Sequence, residues 1–119
     1  MQGKRKLKRR HLIYYLRVFE KKADQLIGHM VDISSGGMML ISEDPIKTGM
    51  VFDLRMVLPV ELEGSREITF SAESMWCRAD ENPDFYNTGF QWIKTSPAHI
   101  KTIDHLIQKF CFKESLGQL

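Results

Sequence analysis

The sequence predicts a mainly β domain: a small six-stranded antiparallel β-barrel with a C-terminal α-helix and a flexible basic N-terminal arm. Three observations carry this prediction. Six short runs rich in β-branched, aromatic and other apolar residues follow one another at close spacing, separated by turn-forming residues. One run alternates cleanly: Phe52, Leu54, Met56 and Leu58 point one way and Asp53 and Arg55 the other, as in a half-buried antiparallel strand. After Ser96-Pro97 the apolar period changes from that of a strand to that of a helix.

Taken in order, residues 1–11 are polar and basic without periodicity and read as the arm; residues 12–119 read as the barrel and its helix. The first strand is expected over 12–20, with Leu12, Tyr14, Leu16 and Val18 on one face and Arg17 on the other. A polar turn at 21–25 leads to the second strand, 26–33. There Ile27, Val31 and Ile33 are expected on one side and Asp32 on the opposite one. Ser34-Ser35-Gly36-Gly37 is a turn, and 38–42 the third strand. Glu43-Asp44-Pro45 and Thr48-Gly49 break the pattern before the fourth strand at 50–58.

Pro59 opens a turn-bearing link to the fifth strand, 67–78, where Ile68, Phe70, Ala72 and Trp76 are in phase. Asn82-Pro83 signals a further turn. The sixth strand spans 86–93, with Tyr86, Thr88, Phe90 and Trp92 on one face; Gly89 inside it marks a bulge or a close backbone approach. Ser96 is placed to cap a helix that has proline in its first position. Ile100, Ile103, Leu106, Ile107 and Phe110 form its apolar stripe. Trp76, Trp92 and the seven methionines are expected to pack the core, the alternative for either tryptophan being an edge presented to a bound base, with Met38 and Met39 placed to flank a ligand at the turn; His99 and His105 are expected on the helix surface.

At 119 residues the chain is large enough for one core and too small for two. Its formal net charge of +2 hides an asymmetry. Residues 1–11 hold six of the 17 basic side chains and no acidic one, so the remainder carries eleven basic against 15 acidic residues, a net of −4. A nucleic-acid binder spreads positive charge over a face of its folded domain, so an acidic body argues against DNA or RNA as a partner. Cys77 and Cys111 form neither a disulfide framework nor a CxxC pair, which points to a reducing, cytoplasmic setting. The apolar run after the arm is short and interrupted by Arg17, so neither a signal peptide nor a membrane span is expected. The four histidines show no metal-ligand spacing with the cysteines, so no metal site is expected. With no nucleophile–base arrangement, no paired acids and no phosphate-binding loop bearing lysine, the chain reads as a non-enzyme.

Two segments carry binding chemistry. The arm, Lys4-Arg5-Lys6-Leu7-Lys8-Arg9-Arg10, offers guanidinium forks. Such a fork bonds the O6 and N7 acceptors of guanine, stacks on a base, or pairs with phosphate. Arg5 and Arg9 are four residues apart, as are Lys6 and Arg10; planar, bidentate contact favours Arg5 and Arg9, with Arg10 auxiliary. The turn Asp32-Ile33-Ser34-Ser35-Gly36-Gly37 offers the complement. Ionised Asp32 only accepts, and so suits the N1–H and N2–H₂ donors of guanine; Ser34 can donate to phosphate. Gly36 and Gly37 let backbone N–H groups approach an anion. A hairpin of the first two strands would bring arm and turn to one end of the barrel.

The spacing of these motifs resembles the PilZ domain family, whose pattern is RxxxR followed by [D/N]xSxxG. The sequence has Arg5-Lys6-Leu7-Lys8-Arg9 and then Asp32-Ile33-Ser34-Ser35-Gly36-Gly37, and the segment 86–92 is similar to the family's last strand. The resemblance implies a cyclic di-GMP receptor that needs no other cofactor. In it Arg5 and Arg9 embrace guanine and phosphate groups, Asp32 bonds a guanine edge, and Ser34 and Gly37 line the phosphate-facing turn. Ordering of the arm over the ligand would then signal to a downstream protein. Two other readings remain: a protein-interaction barrel with no nucleotide ligand, and an oligonucleotide-binding barrel.

Overall fold

A computed structural model describes residues 10–62, 64–93 and 96–110. Six antiparallel strands form a closed barrel: β1 (Arg10–Glu20), β2 (Gln25–Ile33), β3 (Gly37–Ser42), β4 (Val51–Leu62), β5 (Ser65–Ala79) and β6 (Tyr86–Ile93), followed by the helix α1 (Pro97–Phe110). Around the barrel the order is β1-β2-β3-β6-β5-β4, with β4 returning to β1. The fold class and strand count match the sequence expectation. Three strands clearly exceed their apolar runs, β5 by starting at Ser65 where it pairs with Leu62. β1 begins at Arg10, two residues early, because its backbone pairs with Ile33. β4 runs on through Pro59, where a register shift between Val57 and Leu62 makes a missing N–H tolerable.

Leu16, Val18, Met30, Leu40, Leu54 and Met56 fill the barrel at 2% exposure or less, with Phe70 and Trp92 closing it toward α1 and Phe90 set edge to face against Phe52. Phe70 and Trp92 meet edge to face at 5.0 Å between ring centres. From α1, Ile103 and Leu106 enter this core while Ile100 stays half exposed. As expected, Ser96 starts the helix: its hydroxyl accepts the His99 N–H at 3.1 Å and its carbonyl accepts the Ile100 N–H at 2.9 Å. Ser96→Ala is expected to cost about 1 kcal/mol of stability in a thermal melt, the usual worth of such a cap.

Three features depart from the expected pattern. In β2, one residue is extra opposite β1 between Gly28 and Leu26, and another opposite β3 between Met30 and Asp32. The inner face of β2 therefore passes from Gly28 and Met30 to Ile33, leaving Ile27 and Val31 only half buried, in place of the single Ile27–Val31–Ile33 face expected. In β5, Ser74 pairs with Phe90 but Trp76 with Gly89, so Met75 is extra and Trp76 is turned out of the core phase. Finally, His99 is half buried on the barrel: its ring lies 5.6 Å from that of Trp92 and 6.4 Å from that of Phe70.

That burial lowers the pKa of His99 below the ordinary histidine value. The folded state then favours the neutral ring, so its contribution is present above the unfolded value of about 6.5 and is lost as pH falls through the folded one. Melting temperature should drop between pH 7 and pH 5, with a shallower drop in His99→Phe.

Candidate functional site

Residues paired directly across strands share a face, which sorts the end of the barrel near the Ser34–Gly36 turn into two rows. Ile33, Met38, Phe90 and Ser74 form the inner row, all buried. Asp32, Met39, Gly89 and Trp76 form the next row, on the outer wall. A cavity of about 330 Å³ opens there, lined by this outer row together with Ile33, Ser34, Gly36, Gly37, Met38, Met75, Phe90 and Gln91. Its size falls at the low end of the range of about 300–1,000 Å³ for small-molecule sites. The structure thus gathers Asp32, Ser34, Gly36 and Gly37 around one concavity.

The turn is moulded by β6. The Ser34 N–H donates to the Gly37 carbonyl at 2.8 Å, and the Ser34 hydroxyl accepts the Gly36 N–H at 3.3 Å. The Trp92 backbone N–H donates to the Gly36 carbonyl at 3.2 Å, and its indole N–H to the Ser34 carbonyl at 3.1 Å. Ser34 thus has a structural duty as well as the ligand role read from the sequence. Gly37 lies so close to β6 that a Cβ would overlap the Phe90 carbonyl oxygen, whereas a Cβ on Gly36 would meet nothing within 4 Å. Asp32 is 4% exposed although it lies on the outer wall.

Trp76, Met39, Met75 and Gln91 complete the cavity; of these the sequence pointed to Met39 and, as the lesser alternative to core packing, to Trp76. The indole of Trp76 lies over Gly89, where any Cβ would overlap the ring, and the Arg78 guanidinium sits 4.8 Å from the centre of that ring. The signal in the sequence was Gly89 itself, whose expected close approach is to this indole. Gly89→Ala should push the indole aside and weaken binding at this cavity by about 0.5–1.5 kcal/mol, the worth of an aromatic contact, read by titration calorimetry.

Arg5 and Arg9 lie outside the described residues, as does the side chain of Arg10. The Arg10 backbone opens β1 opposite Ile33, and His11 is opposite Asp32. Among the described residues no group of three or more His, Cys, Asp or Glu side chains is placed to hold a metal ion. Nor is any described helix long and apolar enough to cross a membrane.

The model of the PilZ domain family matches residues 4–109, and this decides the family. The chain belongs to the PilZ domain family. Solved structures share its architecture. The PilZ domain of YcgR from Escherichia coli, determined with c-di-GMP, superposes with a TM-score of 0.65 at 16% identity, covering 89% of this chain and 90% of that one. The Bacillus subtilis inhibitor of motility, MotI/DgrA, gives 0.68 at 16% identity; 97% of this chain is covered, but only 53% of the longer protein. The Borreliella burgdorferi PlzA protein in complex with c-di-GMP gives 0.51 at 16% identity, covering 91% of this chain and 47% of that one. A comparison with curated protein sequences finds no match.

Proposed function

We propose that this PilZ domain is a receptor for cyclic di-GMP that acts by binding, without catalysis, and passes the signal to a partner protein. The observation that carries the reading is the meeting of Asp32, Ser34, Gly36 and Gly37 around one cavity on the outer wall, beside the start of β1. Asp32 accepts from a guanine edge, and the glycine-bearing turn faces phosphate. The Trp76 indole offers a flat surface to a base. Arg5 and Arg9, just ahead of β1, supply the cations that close over the dianion, with Arg10 in support. In this mechanism the basic segment ahead of β1, residues 1–9, orders on the ligand and thereby changes the surface shown to the partner.

The test is calorimetric titration of the folded protein with cyclic di-GMP, read for affinity and stoichiometry together. Saturable binding with a whole-number stoichiometry is expected. Absence of heat at high micromolar ligand, with folding verified by circular dichroism, would refute the proposal.

A further inference from the structure

A second concavity, of about 380 Å³, lies at the other end of the barrel from the Ser34–Gly36 turn. Its apolar surface comes from Leu26, Ile27, Ile41, Ile46 and Phe85. Ile27 and Ile46 pack directly on the core, while Leu26 is 44% exposed. Glu43 and Asp44 stand on its rim, both exposed, and among the described residues no lysine or arginine lines it. His29 is the remaining titratable side chain of the lining. The neighbouring loop between β5 and β6 adds exposed Glu81 and Asp84 next to Phe85.

Both rims are held in place by hydrogen bonds. The buried Ser42 hydroxyl donates to the Asp44 carbonyl at 2.7 Å. In the β5–β6 loop the Asp84 N–H donates to Asn82 Oδ1 at 3.0 Å, and the Asn82 N–H and Asn87 Nδ2–H donate to the Asp80 carboxylate at 3.1 and 2.8 Å. These donors hold the pKa of Asp80 below the ordinary carboxylate value, Asn87 first among them. A rigid apolar trough with carboxylates on its edges is complementary to a segment that is apolar in its middle and cationic at its flanks. It repels phosphodiesters and anionic lipid headgroups.

We propose that this groove is the docking site for a partner protein, which inserts an aliphatic side chain flanked by lysine or arginine. The groove is separate from the candidate nucleotide site yet mechanically joined to it. Six-residue β3 contributes Gly37, Met38 and Met39 to one cavity and Ile41 and Ser42 to the other, so the two lie on the order of 15 Å apart along one strand. Both can be filled at once, and the inference stands whatever binds at the turn.

The test uses three fluorescein-labelled synthetic decapeptides, alternating lysine–leucine, lysine–serine and glutamate–leucine, titrated by anisotropy into the full chain, with amide shifts to place the binding. The lysine–leucine peptide should saturate and perturb Leu26–His29 and Ile41–Ile46. The exposed double reversal Glu43→Lys/Asp44→Lys should weaken it about tenfold or more, and Leu26→Ser severalfold, with melting curves preserved. Equal binding of the lysine–serine peptide would reduce the effect to general charge attraction and overturn the proposal. So would indifference to the charge reversal, equal binding of the glutamate–leucine peptide, or sedimentation showing a second copy of the chain seated on this face.

Discussion

Gly37→Ala is expected to destabilise the barrel by about 2–4 kcal/mol and to abolish ligand binding at the turn. The reason is contact, not backbone freedom: an added Cβ would overlap the Phe90 carbonyl oxygen, and on both sides of that clash is backbone. Gly37 pairs with Gln91, while Trp92 bonds the Ser34 and Gly36 carbonyls. Moving β3 away from β6 to make room therefore breaks the bonds that shape the turn. Overpacking of this kind costs about 1–3 kcal/mol, and each lost hydrogen bond adds about 0.5–1.5 kcal/mol. Gly36→Ala provides the control, since its Cβ would point into open space and its backbone is not left-handed. It should stay within about 0.5 kcal/mol of wild type in urea unfolding. Equal losses at both positions would contradict the close-approach explanation.

Asp32→Ala and Arg9→Ala are each expected to weaken cyclic di-GMP binding by about 1–3 kcal/mol, the range for losing a good contact to a base. That is roughly a 5–150-fold rise in Kd. In the proposed site the two would grip one guest from complementary sides: a carboxylate that accepts from the guanine donors, and a guanidinium fork that donates to guanine O6/N7 or to phosphate. The Arg10 backbone opens β1 opposite Ile33, which lines the outer-wall cavity together with Asp32. Arg9→Lys separates charge from shape: keeping the charge while losing the fork should recover only part of the affinity. Wild-type affinity in Asp32→Ala or in Arg9→Ala would remove that residue from the site.

The strands, the helix and its Ser96 cap were legible because each rests on local chemistry: alternation, turn residues, and a hydroxyl before a proline. So was the contrast between Ile33, turned inward, and Asp32 on the outer wall. What alternation cannot carry is a bulge. One extra residue at Met75 reverses every side chain beyond it, and nothing in Ser74-Met75-Trp76 announces that insertion; Trp76 therefore read first as core, with contact to a base only as the alternative, when it lies on the outer wall. The same loss of phase misassigned Ile27 and Val31. The pairing of β3 with β6 depends on long-range closure, so the contribution of Gln91 to the cavity was invisible, and so was the packing of His99 against Trp92. Gly89 marked a contact without naming the partner.

The most direct measurement is amide and indole chemical-shift mapping of the isotope-labelled protein during titration with cyclic di-GMP. The account predicts large shifts at Asp32–Met39, Met75, the Trp76 indole and Gly89–Gln91, together with residues 4–10. Shifts confined to the Leu26–Ile46 groove, or none at saturating ligand, would contradict it.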